Sequence, residues 1–399
     1  MRRLDWFRHG CVMSRPIAFN PVMALCLLLG ACAAAALPLL RVAPNRLVSG
    51  EPVYLSALLQ GHAWAVVPVA LALVAAIFLP PGRWMQGLLA GLVAGLMAAV
   101  VWLAGSHASW VAHTESPLAR TALGAGFWSL LALAWLICLD AVGHLKMPTL
   151  PRMTLLAALV LPLLGVLGLG AGNDLSILKE YANRSDVFAA AVLRHLQIVA
   201  LAIVPSVLLG LPLAWASYRY QRLRPLLFPV LNIIQTIPSI ALFGLFMAPL
   251  ALLAAAHPAL ARAGISGVGL APAVLALVLY GLLPIARSAL AGLEQVPVAV
   301  KTAARAMGMG AVQVFWRVEV PLAVPVLLLG LRAAVVQTIG LAAVTALVGA
   351  GGLGALMFDG LFSGANELVL LGVVPIVLLA VLADALFKAL ATLLQGPAP

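Results

Sequence analysis

The side chains that most often perform chemistry are scattered along this 399-residue chain. His9, His62, His107, His113, His144, His195 and His257 include no HExxH and no close pair at metal-ligand spacing, so they read as interface or loop histidines. No glycine precedes Lys146, Lys179, Lys301 or Lys388, which excludes a GxxxxGK[ST] phosphate loop. No nucleophile and base form a recognisable catalytic set. Cys11, Cys26, Cys32 and Cys138 show no pairing framework, and at least three lie in or beside apolar runs, so no disulfide is expected. An enzyme is not expected from this pattern, and neither is a cofactor or a metal.

The polar residues that remain are suited to recognition and passage. Asn232, Gln235, Thr236 and Ser239 are spaced i, i+3, i+4 and i+7, one face of a helix, inside the apolar run 226–250. Pro229 and Pro238 interrupt its backbone ladder and free carbonyls that need partners inside protein or cavity water. Such a stripe serves either as hydrogen-bonding glue between helices or as the wall of a translocation path. Gln337 and Thr338, with Thr345 seven residues on, offer a partner face in the run 322–347. Arg332 in that run either anchors at the interface, the favoured reading, or pairs within the membrane. The glycine cluster 349–354 lacks a preceding strand, so it reads as a tight turn or re-entrant segment and not as a phosphate cradle.

The most polar stretch of the second half is 294–325, where Glu294, Lys301, Arg305, Arg317 and Glu319, grouped with Arg287 just ahead of them, crowd between apolar runs. Pro297 suits the first turn of a helix over 298–307. Gly308 and Gly310 break that helix, a second short one covers 311–318, and Pro321 marks entry to the next span. Small residues beside a glycine turn fit either docking into another protein's groove or packing on the chain's own membrane domain.

These residues are positioned by membrane helices. The chain is 64% hydrophobic and 9% charged, with a mean hydropathy of +1.13. Repeated apolar runs of about 20 residues imply spanning helices, and short alternating segments of a barrel are missing. The fold class is all-α and polytopic, with about ten spans: 21–40, 62–79, 86–105, 121–140, 153–170, 193–217, 226–250, 269–287, 322–347 and 367–390. The run continues past Cys32, so the lipoprotein-like LGAC at 29–32 reads as part of an uncleaved first helix. The net charge of +11 sits in loops, which fits the positive-inside rule and not nucleic acid. Arg2, Arg3, Arg8, Arg15, Arg83, Lys146, Arg152, Arg219, Arg222, Arg224 and the 294–321 loop then share the cytoplasmic side, as do both termini. A boundary falls near 172–186, giving an N-terminal extension over 1–186 and a second domain over 187–399.

The order Ala303-Ala304, Gly308, Val318, Val320, Pro321 resembles the EAA loop of ABC-importer permeases, with Thr302 standing where the pattern has Glu. NIIQTIPSIALFG at 232–244, YGLLPIAR at 280–287, QTIG at 337–340 and VGAGGLG at 348–354 are similar to the glycine-betaine/choline branch of that family. APNRLVSG at 43–50 and NDLSILKEYAN at 173–183 extend the likeness to its longer, YehY-type members. The resemblance implies a C-terminal five-helix type I permease core, with the 294–321 loop coupling it to a cytoplasmic ABC ATPase dimer. It further implies a second permease subunit, homologous or identical, and a periplasmic substrate-binding protein, in a bacterial inner membrane. Thr302, Ala303, Ala304, Gly308, Val318 and Pro321 would form the coupling loop. Asn232, Gln235, Thr236, Ser239, Gln337 and Thr338 would line the path. An ion-coupled secondary transporter is the alternative; it needs midplane charges, and the second-half spans hold few acids.

Overall fold

The computed structural model describes residues 20–45, 48, 50–60, 63–78 and 82–395. Arg2, Arg3, Arg8, His9, Cys11, Arg15 and His62 lie outside them. The chain divides into two units between Lys179 and Glu180.

The first unit contains α1 (Pro21–Ala36), β1 (Leu40–Ala43), β2 (Glu51–Val53), the single turn α2 (Leu55–Leu58) and α3 (Ala63–Ala76). It continues with α4 (Arg83–Thr114), β3 (Arg120–Leu123), α5 (Ala125–His144), α6 (Thr149–Ala158) and α7 (Leu161–Gly168). Asn20 caps α1 by accepting from the Met23 amide at 3.1 Å, and its Nδ2 donates to Asp140 of α5 at 2.9 Å. The first span is shorter than its apolar run. Pro38 disfavours helical backbone at Leu37, which turns extended at φ −107°, ψ 138°.

The residues beyond that turn form a small sheet, which the apolar sequence did not announce. Its order is β2-β1-β3, all antiparallel, with Leu40 opposite both Val53 and Leu123, and a parallel bridge joins Thr121 to Leu175. The span expected from Thr121 accordingly starts as strand and becomes helix only at Ala125. The sheet gathers the connections α1–α3, α4–α5 and the one after α7 at one end of the unit. Because α4 runs from Arg83 towards the sheet and α5 away from it, Arg83, Lys146 and Arg152 lie at the other end. Below the sheet the helices bury an alanine-rich interior in which Ala104 and Ala141 are inaccessible.

α8 (Ser176–Asn183) crosses the division. The second unit then holds α9 (Ser185–Arg219), α10 (Arg224–Thr236), α11 (Ser239–Ala256), the short α12 (Pro258–Arg262) and α13 (Leu270–Gln295). After them come α14 (Val298–Ala306), α15 (Ala311–Val314), α16 (Val320–Val344), α17 (Leu353–Phe362) and α18 (Asn366–Gln395). α13 is the hub, packed on α9, α10, α11 and α16. Its approach to α9 is close because Gly281 faces Ser206, whose hydroxyl lies 2.8 Å from the Ala202 carbonyl and 3.0 Å from that of Val278 in α13. Gly330 of α16 likewise meets Ser288 of α13. Small residues at these crossings let membrane helices pack backbone to backbone.

Among the described residues eight helical stretches are long and apolar enough to cross a membrane, with α1 and α17 shorter and also apolar. The eight together with α1 fall in nine of the ten expected spans, and α3 lies within the remaining one, 62–79. One of these, 226–250, is not a single helix: it breaks at Ile237-Pro238 into α10 and α11. The glycine cluster leads into α17, an added short helix packed on α18.

Candidate functional site: the coupling loop and a broken span

α13 ends at Gln295, and the extended backbone of Val296 and Pro297 redirects the chain into α14. Ala304 packs inward at 3% exposure, whereas Thr302, Ala303 and Gly308 face outward. The Thr302 hydroxyl donates to the Val298 carbonyl at 3.0 Å, so it serves its own helix and keeps lone pairs for an incoming donor. Gly308 sits at φ +86°, where the Met309 amide can reach back to the Ala304 carbonyl at 3.2 Å and close the helix. Gly310 then donates its amide to Gln313 Oε1 at 3.0 Å as α15 begins.

The expected second helix does not end at Val318. α15 passes through a π-helical turn, Phe315–Glu319, straight into α16. Pro321 explains the wide turn: it has no N–H for the Arg317 carbonyl and its ring would press on it, so the ladder shifts and the Val320 amide bonds Phe315 O. Val318 and Pro321 are thus parts of one continuous helical rod and not the end of one helix and the start of another.

The loop is fastened to the end of α9. Lys301 Nζ donates to Tyr218 Oη at 2.7 Å and lies 3.8 Å from the buried Glu319 carboxylate. Arg224 pairs with Glu294 and donates from Nε to the Ser217 carbonyl at 2.8 Å. What remains exposed joins apolar and small residues, with Met307 73% and Val312 71% accessible, to the exposed side chains of Arg305 and Arg317.

The second candidate region is the break between α10 and α11. Pro238 provides no N–H for the Ile234 carbonyl, which takes the Ile237 amide at 3.3 Å. The freed Ile237 carbonyl accepts the Tyr280 hydroxyl from α13, and Gln235 Nε2 donates back to the Tyr280 carbonyl at 2.8 Å. Thr236 bonds the Ile233 carbonyl at 2.7 Å. Because of the break, Ser239 opens a new helix and does not share a continuous face with Asn232, Gln235 and Thr236. Gln337 is exposed on α16, but its neighbour Thr338 is 1% exposed and packs in the core.

One member of this region was misplaced by the sequence. Arg287 was read with the coupling loop, yet α13 continues about 12 Å beyond it to Gln295. It is exposed, 3.3 Å from Asn232 Oδ1, with its guanidinium 6.0 Å from the Phe228 ring centre. A charged residue inside an apolar helix was the available signal. Arg332, read as an interfacial anchor, pairs instead with Asp384 of α18 at 2.5 Å, and Lys388 closes on the same carboxylate at 2.7 Å.

Comparison with known proteins finds matches for both parts of the chain. Residues 20–178 match the family model described as "ABC transporter permease YehY, N-terminal domain". Residues 206–395 match "Binding-protein-dependent transport system inner membrane component". The osmoprotectant import permease protein OsmW of Salmonella typhimurium is 36% identical over 216 residues, 53% of this chain and 94% of its own length. The glycine betaine/carnitine/choline permease protein OpuCD of Bacillus subtilis is 35% identical over 48% of this chain and 77% of its own. The MetNI methionine ABC transporter in an inward-facing conformation aligns over 53% of this chain and 98% of its own at 22% identity, with a TM-score of 0.44. The chain belongs to the binding-protein-dependent transport system inner membrane components, the ABC permeases, and carries the YehY-type N-terminal domain ahead of that shared core.

Proposed function

We propose that this chain is the permease subunit of an ATP-driven importer of osmoprotectants such as glycine betaine or choline. It would work in a bacterial inner membrane with a cytoplasmic ATPase dimer, a second permease and a periplasmic substrate-binding protein. The observation that carries the reading is the α14 loop: small exposed residues and an open glycine turn on the outside, ion pairs and hydrogen bonds holding it to α9 on the inside. Such a loop can receive a push from a docked subunit without itself folding away. Thr302, Ala303, Ala304 and Gly308 would form the docking face, with Val318 and Pro321 in the rod that carries the motion to α16. Asn232, Gln235, Thr236, Ser239, Gln337 and Thr338 would form or support the path wall, joined by Arg287. The loop and both termini would face the cytoplasm.

The relatives favour this over a gradient-driven carrier, and Asp384 in α18 is already paired with Arg332 and Lys388. The test is uptake of labelled glycine betaine in cells expressing the chain with its copurifying partners. Uptake that stops on ATP depletion, with an ATPase in the purified complex, supports the proposal. Uptake that survives ATP depletion but collapses with the ion gradient overturns it.

A further inference from the structure

A groove of about 950 Å³ opens between the last turns of α9, the end of α13 and the α15–α16 rod. Its floor is aliphatic, built from Leu211, Ala214, Leu293, Val324 and Leu327. Its mouth changes character. Trp215 and Trp316 stand at the rim, 46% and 64% exposed, with Arg219 and Arg305 beside them. Among the lining residues the single acid is Glu319, which is buried and already faces Lys301 at 3.8 Å. The mouth therefore keeps a surplus of positive charge above an apolar slot.

We propose that this groove binds one anionic phospholipid. An acyl chain fits the aliphatic floor, where water would find no partners. Tryptophans with a polar edge settle at the level of lipid headgroups. The two guanidinium groups suit a phosphate diester, which accepts their paired N–H donors. Basic pockets between membrane helices at the cytoplasmic surface recognise headgroups in this way. A free phosphate ion would use the arginines but leave the slot empty, so the combination selects a lipid.

The position gives the lipid a consequence. Arg305 belongs to α14 and precedes the Gly308 turn, whereas Arg219 ends α9. A headgroup held by both would join the coupling loop to the first helix of the unit, alongside the Lys301–Tyr218 bond. Coupling between ATP hydrolysis and transport would then depend on the charge of the surrounding lipid. The inference takes from the proposed function which leaflet supplies the lipid and, for its consequence, the coupling role of the loop.

The test is native mass spectrometry of the full chain, purified with its partners after reconstitution into nanodiscs. One set contains phosphatidylcholine alone and another adds phosphatidylglycerol. Retention of one phosphatidylglycerol per chain, in preference to phosphatidylcholine, is expected. Arg219→Gln and Arg305→Gln should each lower that retention roughly five-fold, the effect of one basic residue at a lipid surface. Val324→Trp fills the slot and should remove the lipid with both arginines intact. Equal retention of the two lipids, or retention unchanged in the three variants, overturns the proposal. So does a cross-link from a cysteine placed at Val324 to another protein chain, since a helix would then occupy the slot. Retention is read without substrate or ATP, so its failure is separate from failure of the importer reading.

Discussion

Substitution of Gly308 separates docking from folding. The residue lies at φ +86°, and a Cβ built there meets nothing within 4 Å. Within this chain an added side chain therefore costs only backbone strain, about 1–2 kcal/mol for alanine and less for asparagine or aspartate, which tolerate left-handed backbone. Strain alone ranks the variants with alanine worst. If a second protein covers the turn, the order reverses, because aspartate and asparagine are larger and aspartate adds a buried charge. The expected result is that Gly308→Asp and Gly308→Asn reach the membrane at normal levels but lose uptake and copurifying ATPase, while Gly308→Ala keeps more of both. Blots of membrane fractions, labelled glycine betaine uptake and pull-down of the ATPase read the three quantities. Uptake at the normal rate in Gly308→Asp would refute the docking assignment, and loss that follows the alanine-worst order would reduce it to local strain.

Three further outcomes follow from the contacts. Lys301→Met leaves Glu319 buried and unpaired and should destabilise the loop by roughly 3–5 kcal/mol, while Lys301→Met with Glu319→Met should recover most of it, measured by thermal unfolding in detergent. Tyr280→Phe removes the only hydroxyl reaching the Ile237 carbonyl among the described residues, and should cost about 1–3 kcal/mol and lower uptake, seen as a reduced melting temperature. Asp384→Asn leaves Arg332 and Lys388 facing each other and should cost about 1.5–3 kcal/mol; adding Arg332→Leu should restore part of it, and a double variant worse than either single one would contradict the pairing.

The spans were legible because each apolar run is long enough to cross a bilayer and is bounded by charged or glycine-rich loops. The loop at 294–321 was legible for the opposite reason, as a polar interruption whose prolines and glycines mark helix ends. Two of the misreadings share one physical cause: in apolar sequence the signal does not distinguish helix from strand, nor one helix from two. Leu40, the first residue of β1, was read as the last residue of a span, and Pro38 carried the information that helix stops before it. Pro238 was visible, but whether it kinks a helix or divides it depends on Tyr280, which arrives from another span. Arg287 was assigned to the loop because charge usually marks a span's end, yet its helix continues.

The break at Pro238 and the continuity at Pro321 are the same residue type put to opposite use. At Pro238 the neighbouring helix supplies the missing partner, so the backbone leaves the helix and α10 and α11 become separate helices joined at Tyr280. At Pro321 a π-helical turn absorbs the ring, so the rod from Ala311 to Val344 stays one piece. A displacement applied to α14 is therefore handed to α16 directly, with the Lys301–Glu319 pair resisting slack at the π turn. α16 packs on α13, and α13 holds both Tyr280 and Arg287. Under the importer reading, the stiff proline transmits the push and the broken one yields to it, which puts the moving part of the path wall at Asn232, Gln235 and Thr236.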